Sequence, residues 1–182
     1  MWNVHGAYAF HAHEHGATAI VGLDVDPDTE EFRRKNLAAG SPIRFVRGDV
    51  NDPAVPDRLG HFDVVFCSGV LYHVPNPIHT LEQLKKLTGR LLILTSASTQ
   101  SIATPQAAVL VPFLEESERA KLTFRSPRRK VGLDSTFEAD KGYGNWFWLP
   151  TPSCITAMLR LAGMSVKEEY VSRYVTTIVA AP

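Results

Sequence analysis

Strand-like and helix-like segments in alternation predict an α/β fold: a mostly parallel sheet with helices on its faces, closed by an antiparallel C-terminal hairpin. Three observations carry this. Short apolar runs rich in β-branched residues, IVGLDV, FDVVFC and RLLILT, recur through the first hundred residues. Segments with helix-start signals lie between them, the order that produces parallel pairing. Two strand-like runs joined by a tight turn near Ser172-Arg173 end the chain. The 182 residues suit one domain, 1–182, within the usual span of roughly 50–250.

Taken in order, AYAFHAHEH (7–15) has helical character and stops at Gly16. Ile20 to Val25 reads as a buried strand. Asp26-Pro27-Asp28 is expected to start a helix, with Asp26 as cap and Glu30 and Glu31 favouring the positive end of its dipole. That helix runs to about Ala39 and stops at Gly40. Ile43 to Val46 and Phe62 to Cys67 follow as strands. Asn76-Pro77 caps IHTLEQLKKL, whose Ile78, Leu81, Leu84 and Leu87 recur at three-residue steps. Arg90 to Thr95 is the next strand. Periodicity fades over about 97–145, read as an insertion that covers a site, with some helix near 106–121. Thr151-Pro152 caps a further helix ending at Gly163, before the closing strands Ser165–Val171 and Tyr174–Ala180.

Composition excludes several classes. Nineteen Lys+Arg balance nineteen Asp+Glu, which argues against a broadly basic nucleic-acid binder and favours a small-molecule partner. No apolar run approaches the roughly 20 residues of a membrane span. Two distant cysteines form no disulfide framework and no four-cysteine zinc site, and the N-terminus lacks a signal-peptide pattern, so a cytoplasmic location is expected. His11 and His15 stand four apart, as two metal ligands can, but no third ligand is spaced to join them. A solvated helix face is the expectation, and no metal.

In an open α/β sheet, ligands bind beyond the carboxyl ends of the strands. Those ends carry Asp24, then Asp49, then Ser68-Gly69-Val70-Leu71-Tyr72-His73. A strand-end carboxylate accepts hydrogen bonds from ribose hydroxyls, and a second suits a base amine, so the spacing fits an adenosine cofactor. Tyr72 and His73 are the candidates for a catalytic polar role, since His takes a proton near neutral pH. Trp146 and Trp148 are candidates to stack on an acceptor, with Phe147 between them. Arg125, Arg128, Arg129 and Lys130 form the densest basic cluster, read as a solvated loop.

These segments resemble the class I S-adenosylmethionine-dependent methyltransferases. VGLDVD, RGDVND, FDVVFCSGVLYHVPNP and GRLLILTS are similar to the second-, third-, fourth- and fifth-strand motifs of that family. VLYHVPNP and NWFWLPTP look most like the subgroup related to the tRNA wobble-uridine methyltransferases. The resemblance implies a Rossmann-like three-layer fold, S-adenosylmethionine as cofactor, and methyl transfer to a small-molecule or RNA-base acceptor. It implies that Asp24 holds the ribose, that Asp49 and the Val50 backbone hold the adenine, and that Asn3, Gly6, Val25 and Ser68 complete the cofactor site.

One departure lies at the start. The family places a strand and a glycine-rich turn before the first helix, and only Asn3-Val4-His5-Gly6 matches the tail of that turn. The first central strand is therefore expected to be absent. Two readings follow: a working protein that begins about 20–50 residues earlier, or a degenerate, non-catalytic member that binds a ligand or partner. A nucleotide-dependent oxidoreductase is a further alternative, disfavoured by the missing G-x-G-x-x-G fingerprint.

Overall fold

The computed structural model describes residues 6–41, 43–100, 102–122, 124–125, 130–131, 133 and 137–182. They fall into two units, Met1–Leu59 and Gly60–Pro182, each taken by itself.

The first unit holds α1 (Ala7–Glu14), β1 (Ile20–Asp24), α2 (Glu30–Ala39), β2 (Ile43–Arg47) and α3 (Ala54–Leu59). β1 and β2 pair in parallel from Ile20↔Ile43 to Asp24↔Arg47, so both carboxyl ends finish level. A small core of Ala9, Phe32 and Ile43, flanked by Phe10, Ile20 and Phe45, fixes the helices on this pair. The Phe32 ring lies 5.7 Å from that of Phe10 and 6.4 Å from that of Phe45. The start of α2 differs from the sequence expectation. Thr29 is the cap, its side chain accepting from the Phe32 N–H at 3.1 Å. Burial of Phe32 sets the phase of the helix, and Thr29 stands three residues before it. α3 was not foreseen: it is one six-residue segment containing Pro56, nucleated by the Asp52 carboxylate accepting from Ala54 N–H at 2.9 Å.

The second unit begins with β3 (Phe62–Ser68), a 3₁₀ turn (Leu71–His73), α4 (Pro77–Leu87) and β4 (Thr88–Ala97). Next come β5 (Ala108–Leu110), α5 (Glu116–Leu122), β6 (Phe124–Arg125), β7 (Lys130–Val131) and a 3₁₀ segment (Ala139–Gly144). β8 (Trp148–Pro150), α6 (Pro152–Leu161), β9 (Ser165–Val171) and β10 (Val175–Ala181) complete it. Its main sheet has the order β3-β4-β10-β9, with β3 and β4 parallel and β10 antiparallel to both neighbours. The antiparallel closing hairpin is as the sequence predicts. Among the described residues, neither β1 nor β3 has a strand on its second edge.

By register, Cys67, Leu92, Leu94, Ile178 and Ala180 share one face of this sheet, and all are buried. α4 packs on β3 and β4, α6 on β9 and β10, and the two helices touch. They bury Leu81, Leu84, Leu87, Ile155 and Leu159. Both helices start with a side-chain cap and a proline: Asn76 accepts from His79 N–H, and Thr151 from Cys154 N–H. α4 passes into β4 with no connecting residue, because the Thr88 hydroxyl donates to the Leu84 carbonyl at 2.7 Å and closes the helix as the strand begins. Gly89 permits the junction: a Cβ there would stand 3.1 Å from the Phe62 carbonyl oxygen.

Within 97–145 the helix expected near 106–121 is replaced by a strand and a shorter helix. β5 pairs antiparallel with β8, a partner some forty residues downstream, and α5 starts only at Glu116. Ala97, Val111, Leu133 and Leu149 form a second small core there, against which Tyr72, Trp146 and Tyr174 pack. In the basic cluster, Arg125 and Lys130 pair across β6 and β7, while Arg128 and Arg129 lie outside the described residues.

Leu92 is fully buried and its strand is hydrogen-bonded on both edges. Leu92→Ala is expected to lower stability by about 2–5 kcal/mol, measured by urea unfolding. A loss below about 1 kcal/mol would show that the sheet is not held by this layer.

Candidate active site

In the first unit the strand-end carboxylates are built into tight turns. Asp24 ends β1, and its Oδ1 accepts from Asp26 N–H at 3.0 Å. The Asp24 carbonyl accepts from Gly48 N–H at 2.8 Å, which ties the ends of β1 and β2 together. The Val25 carbonyl accepts from Arg47 Nε at 2.9 Å. Asp49 Oδ1 accepts from both the backbone N–H of Asn51, at 2.8 Å, and its side-chain amide, at 3.0 Å. Asp24, Asp49 and Val50 are half-buried and Val25 is more exposed. Each carboxylate is thus fixed in direction by its own loop before any ligand arrives. Gly6, buried, opens α1 in the left-handed region at φ 69°. Asn3 lies outside the described residues.

In the second unit Ser68 ends β3, and Gly69 follows at φ 74°, its N–H donating to the Thr95 carbonyl at 3.1 Å. Tyr72 and His73 sit in the 3₁₀ turn just beyond. Segment 145–148 is fastened along segment 72–75. Asn145 O accepts from His73 Nδ1 at 2.7 Å, Phe147 N–H donates to Tyr72 O at 2.9 Å, and Trp148 Nε1 donates to Pro75 O at 3.1 Å. The rings follow the backbone. Tyr72 lies 4.2 Å from His73 and 4.3 Å from Trp146, and Trp146 meets His73 edge-on at 5.7 Å. Tyr72, His73 and Trp146 therefore form one aromatic cluster. Trp148 stands apart from it, its indole N–H committed to Pro75.

His73 is 8% exposed. Burial pushes its pKa down from the usual value of 6.5, and the hydrogen bond to Asn145 works against that shift. The ring is therefore neutral in the fold at neutral pH. Cys67, buried in β3, has its thiol pushed up to about 11 by burial, which makes it inert as a nucleophile. Burial likewise raises Cys154. In α1 the His15 Nδ1 bonds the His11 carbonyl at 2.9 Å, which occupies one ring nitrogen. Among the described residues no group of three or more His, Cys, Asp or Glu is arranged to hold a metal ion, and no helix is long and apolar enough to cross a membrane.

Residues 5–90 match the family described as "Methyltransferase domain". Among solved structures, the N-terminal domain of EvdMO1 with SAH bound superposes with a TM-score of 0.64 at 20% identity, over 98% of this chain and 70% of that one. A 1,6-didemethyltoxoflavin-N1-methyltransferase of Burkholderia thailandensis, with bound 1,6-didemethyltoxoflavin and S-adenosylhomocysteine, gives 0.67 at 14% identity, over 99% of this chain and 67% of that one. The chain has the class I methyltransferase fold.

Among sequence relatives, a tRNA U34 carboxymethyltransferase of Campylobacter lari is 37% identical over 84 residues, 44% of this chain and 28% of that protein. A ubiquinone biosynthesis O-methyltransferase of Vibrio campbellii is 30% identical over 69 residues, 37% of this chain and 29% of that protein. The stretch of this chain that matches thus spans under a third of the length of these methyltransferase relatives.

Asn145 is the residue that sequence reasoning missed. Its side chain knots the segment leading to the cluster: Nδ2 donates to Glu138 O at 2.7 Å and Gly142 O at 2.9 Å, and Oδ1 accepts from Glu138 N–H at 2.9 Å. The sequence signal was only a buried-type polar residue beside three aromatic ones, with nothing to link it to a histidine 72 positions upstream.

The depressed pKa of His73 has a consequence for stability. The unfolded chain binds a proton near pH 6.5, and the folded chain binds it only at lower pH. The contribution of the neutral ring is full above about pH 6.5 and is lost as pH falls through that value toward the folded one. Urea unfolding of the wild type between about pH 7.5 and 5 is expected to show this decline, and His73→Gln to show less of it. Equal slopes in the two proteins would contradict a buried neutral His73.

Proposed function

We propose that this chain is the S-adenosylmethionine-binding domain of a methyltransferase, with a small molecule as methyl acceptor. The observation that carries the reading is the pair of carboxylates, Asp24 and Asp49, held in tight turns after parallel strands of a methyltransferase fold. The donor set fits the cofactor. A ribose diol and an adenine amine donate hydrogen bonds, and fixed half-buried carboxylates accept them. In this reading Asp24 and Val25 meet the ribose, Asp49 and the Val50 backbone meet the adenine, and Gly6 and Asn3 serve the remainder of the cofactor. The cofactor supplies a methyl carbon already activated on a sulfonium, so the chain's own task is to bind, align and exclude water.

The acceptor side belongs to Tyr72, His73 and Trp146. The aromatic rings offer a stacking surface, and His73 takes the proton that an acceptor hydroxyl or ring N–H must lose. Trp148 contributes its ring only, since its N–H is used on Pro75. The balance of nineteen basic against nineteen acidic residues supports a small molecule over an RNA, whose phosphates call for a basic footprint. An RNA base is the second reading, favoured by the tRNA-modifying relative. A cytoplasmic location completes the proposal, consistent with two free thiols, Cys67 and Cys154.

Calorimetry with S-adenosylmethionine and S-adenosylhomocysteine tests the reading. Saturable binding of both is expected, and no binding would favour a non-catalytic module. Asp24→Ala should weaken binding by about 1–3 kcal/mol, the scale of a hydrogen bond to a charged group. A folded Asp24→Ala protein with unchanged affinity would remove Asp24 from the site.

A further inference from the structure

His73 donates through Nδ1 to a backbone carbonyl, the oxygen of Asn145, at 2.7 Å. A carbonyl accepts and never donates, so Nδ1 carries a hydrogen in both charge states of the ring. The neutral ring must then leave its lone pair on Nε2. Among the described residues Nε2 has no hydrogen-bond partner, although the residue is 8% exposed. A buried acceptor without a donor is costly, and such a group marks a place where a ligand or an ordered water supplies one.

The carbonyl that fixes the ring is itself held. The Asn145 side chain makes three bonds to the main chain of residues 138 and 142, and the residue is 4% exposed. Phe147 and Trp148, two and three positions on, are bonded to Tyr72 and Pro75. The carbonyl is thus clamped from both sides.

We propose that Asn145 is a positioning residue that locks His73 as its Nδ1–H tautomer, so that Nε2 receives a proton-bearing methyl acceptor, a hydroxyl or a ring N–H beside the Tyr72 and Trp146 rings. The use assigned to Nε2 rests on the methyl-transfer reading above; the tautomer does not. In the transfer, the acceptor's proton passes to Nε2 as the acceptor atom bonds to the methyl carbon. With S-adenosylmethionine bound, the carbon–sulfur bond would break and leave its electron pair on sulfur. The resulting imidazolium returns the proton to water. An acceptor that is already anionic, such as a carboxylate, gains nothing from this nitrogen. The proposal therefore names the class: neutral groups with an exchangeable hydrogen.

Nitrogen NMR of ¹⁵N-histidine-labelled protein, without cofactor, tests the assignment, with His73 identified by the signal lost in His73→Gln. The expected spectrum has a protonated Nδ1 and an unprotonated Nε2. A protonated Nε2 in the neutral ring would overturn the proposal. In Asn145→Ala the two nitrogen shifts should move toward each other as the tautomers mix. Asn145→Asp keeps the acceptor for Glu138 N–H but loses both amide donations, and should give a smaller movement. If Asn145→Ala fails to fold, Asn145→Asp decides; a wild-type spectrum from a folded variant would reduce Asn145 to a structural residue. Phenol is expected to shift the Nε2 signal, and anisole, which lacks the hydrogen, to leave it in place. Equal responses would overturn the acceptor class. Calorimetry with S-adenosylhomocysteine stays separate: a correct tautomer without that binding would sink the methyltransferase reading and leave the tautomer standing.

Discussion

The second unit depends on β4 being paired on both edges. Parallel bonding to β3 sets the level at which Ser68, Tyr72 and His73 leave the sheet, and antiparallel bonding to β10 brings in the closing hairpin. Leu92 and Leu94 on that strand fill the layer beneath α4, which joins β4 directly. Once β4 is placed, the turn after β3 has little choice of position. The chemistry-bearing residues then inherit the precision of the sheet instead of the freedom of a loop.

The cluster around His73 shows a second constraint. Segment 145–148 forms no regular pairing with segment 72–75, yet its main-chain groups and one indole are spent on it. Burying polar backbone demands partners, and here the partners are shared between two stretches far apart in sequence. Satisfying the backbone and building the aromatic cluster are the same event. A ring held this way has a defined protonation and a defined face, which a solvent-exposed histidine lacks.

Legibility followed the range of the interactions. β1, β2, β3, α4, β4, α6 and the final hairpin were readable because each is specified by local pattern: β-branched runs, caps, and leucines at helical spacing. Asp24 and Asp49 were readable as strand-end acids for the same reason. The start of α2 was misread because Asp26 and Thr29 are both cap-forming types. The choice between them was made by the burial of Phe32, a packing fact. β5 was misread as helix because its strand conformation comes from β8, some forty residues away. The contact of Asn145 with His73 was illegible on the same ground: 72 residues separate them, and no periodicity reports a pairing of that range.

The direct passage of α4 into β4 has an evolutionary meaning. With the Thr88 hydroxyl closing the helix and Gly89 tucked beside the Phe62 carbonyl, there is no slack between the two elements. One inserted residue would shift the alternation of β4 by one and turn Leu92 and Leu94 to the opposite face of the sheet. An odd change of length carried into the strand is therefore excluded by parity, not by size. Insertions and deletions can be absorbed only where no alternating strand lies immediately downstream, so the loops leaving the carboxyl ends of the strands are the places where such a fold is free to change its substrate.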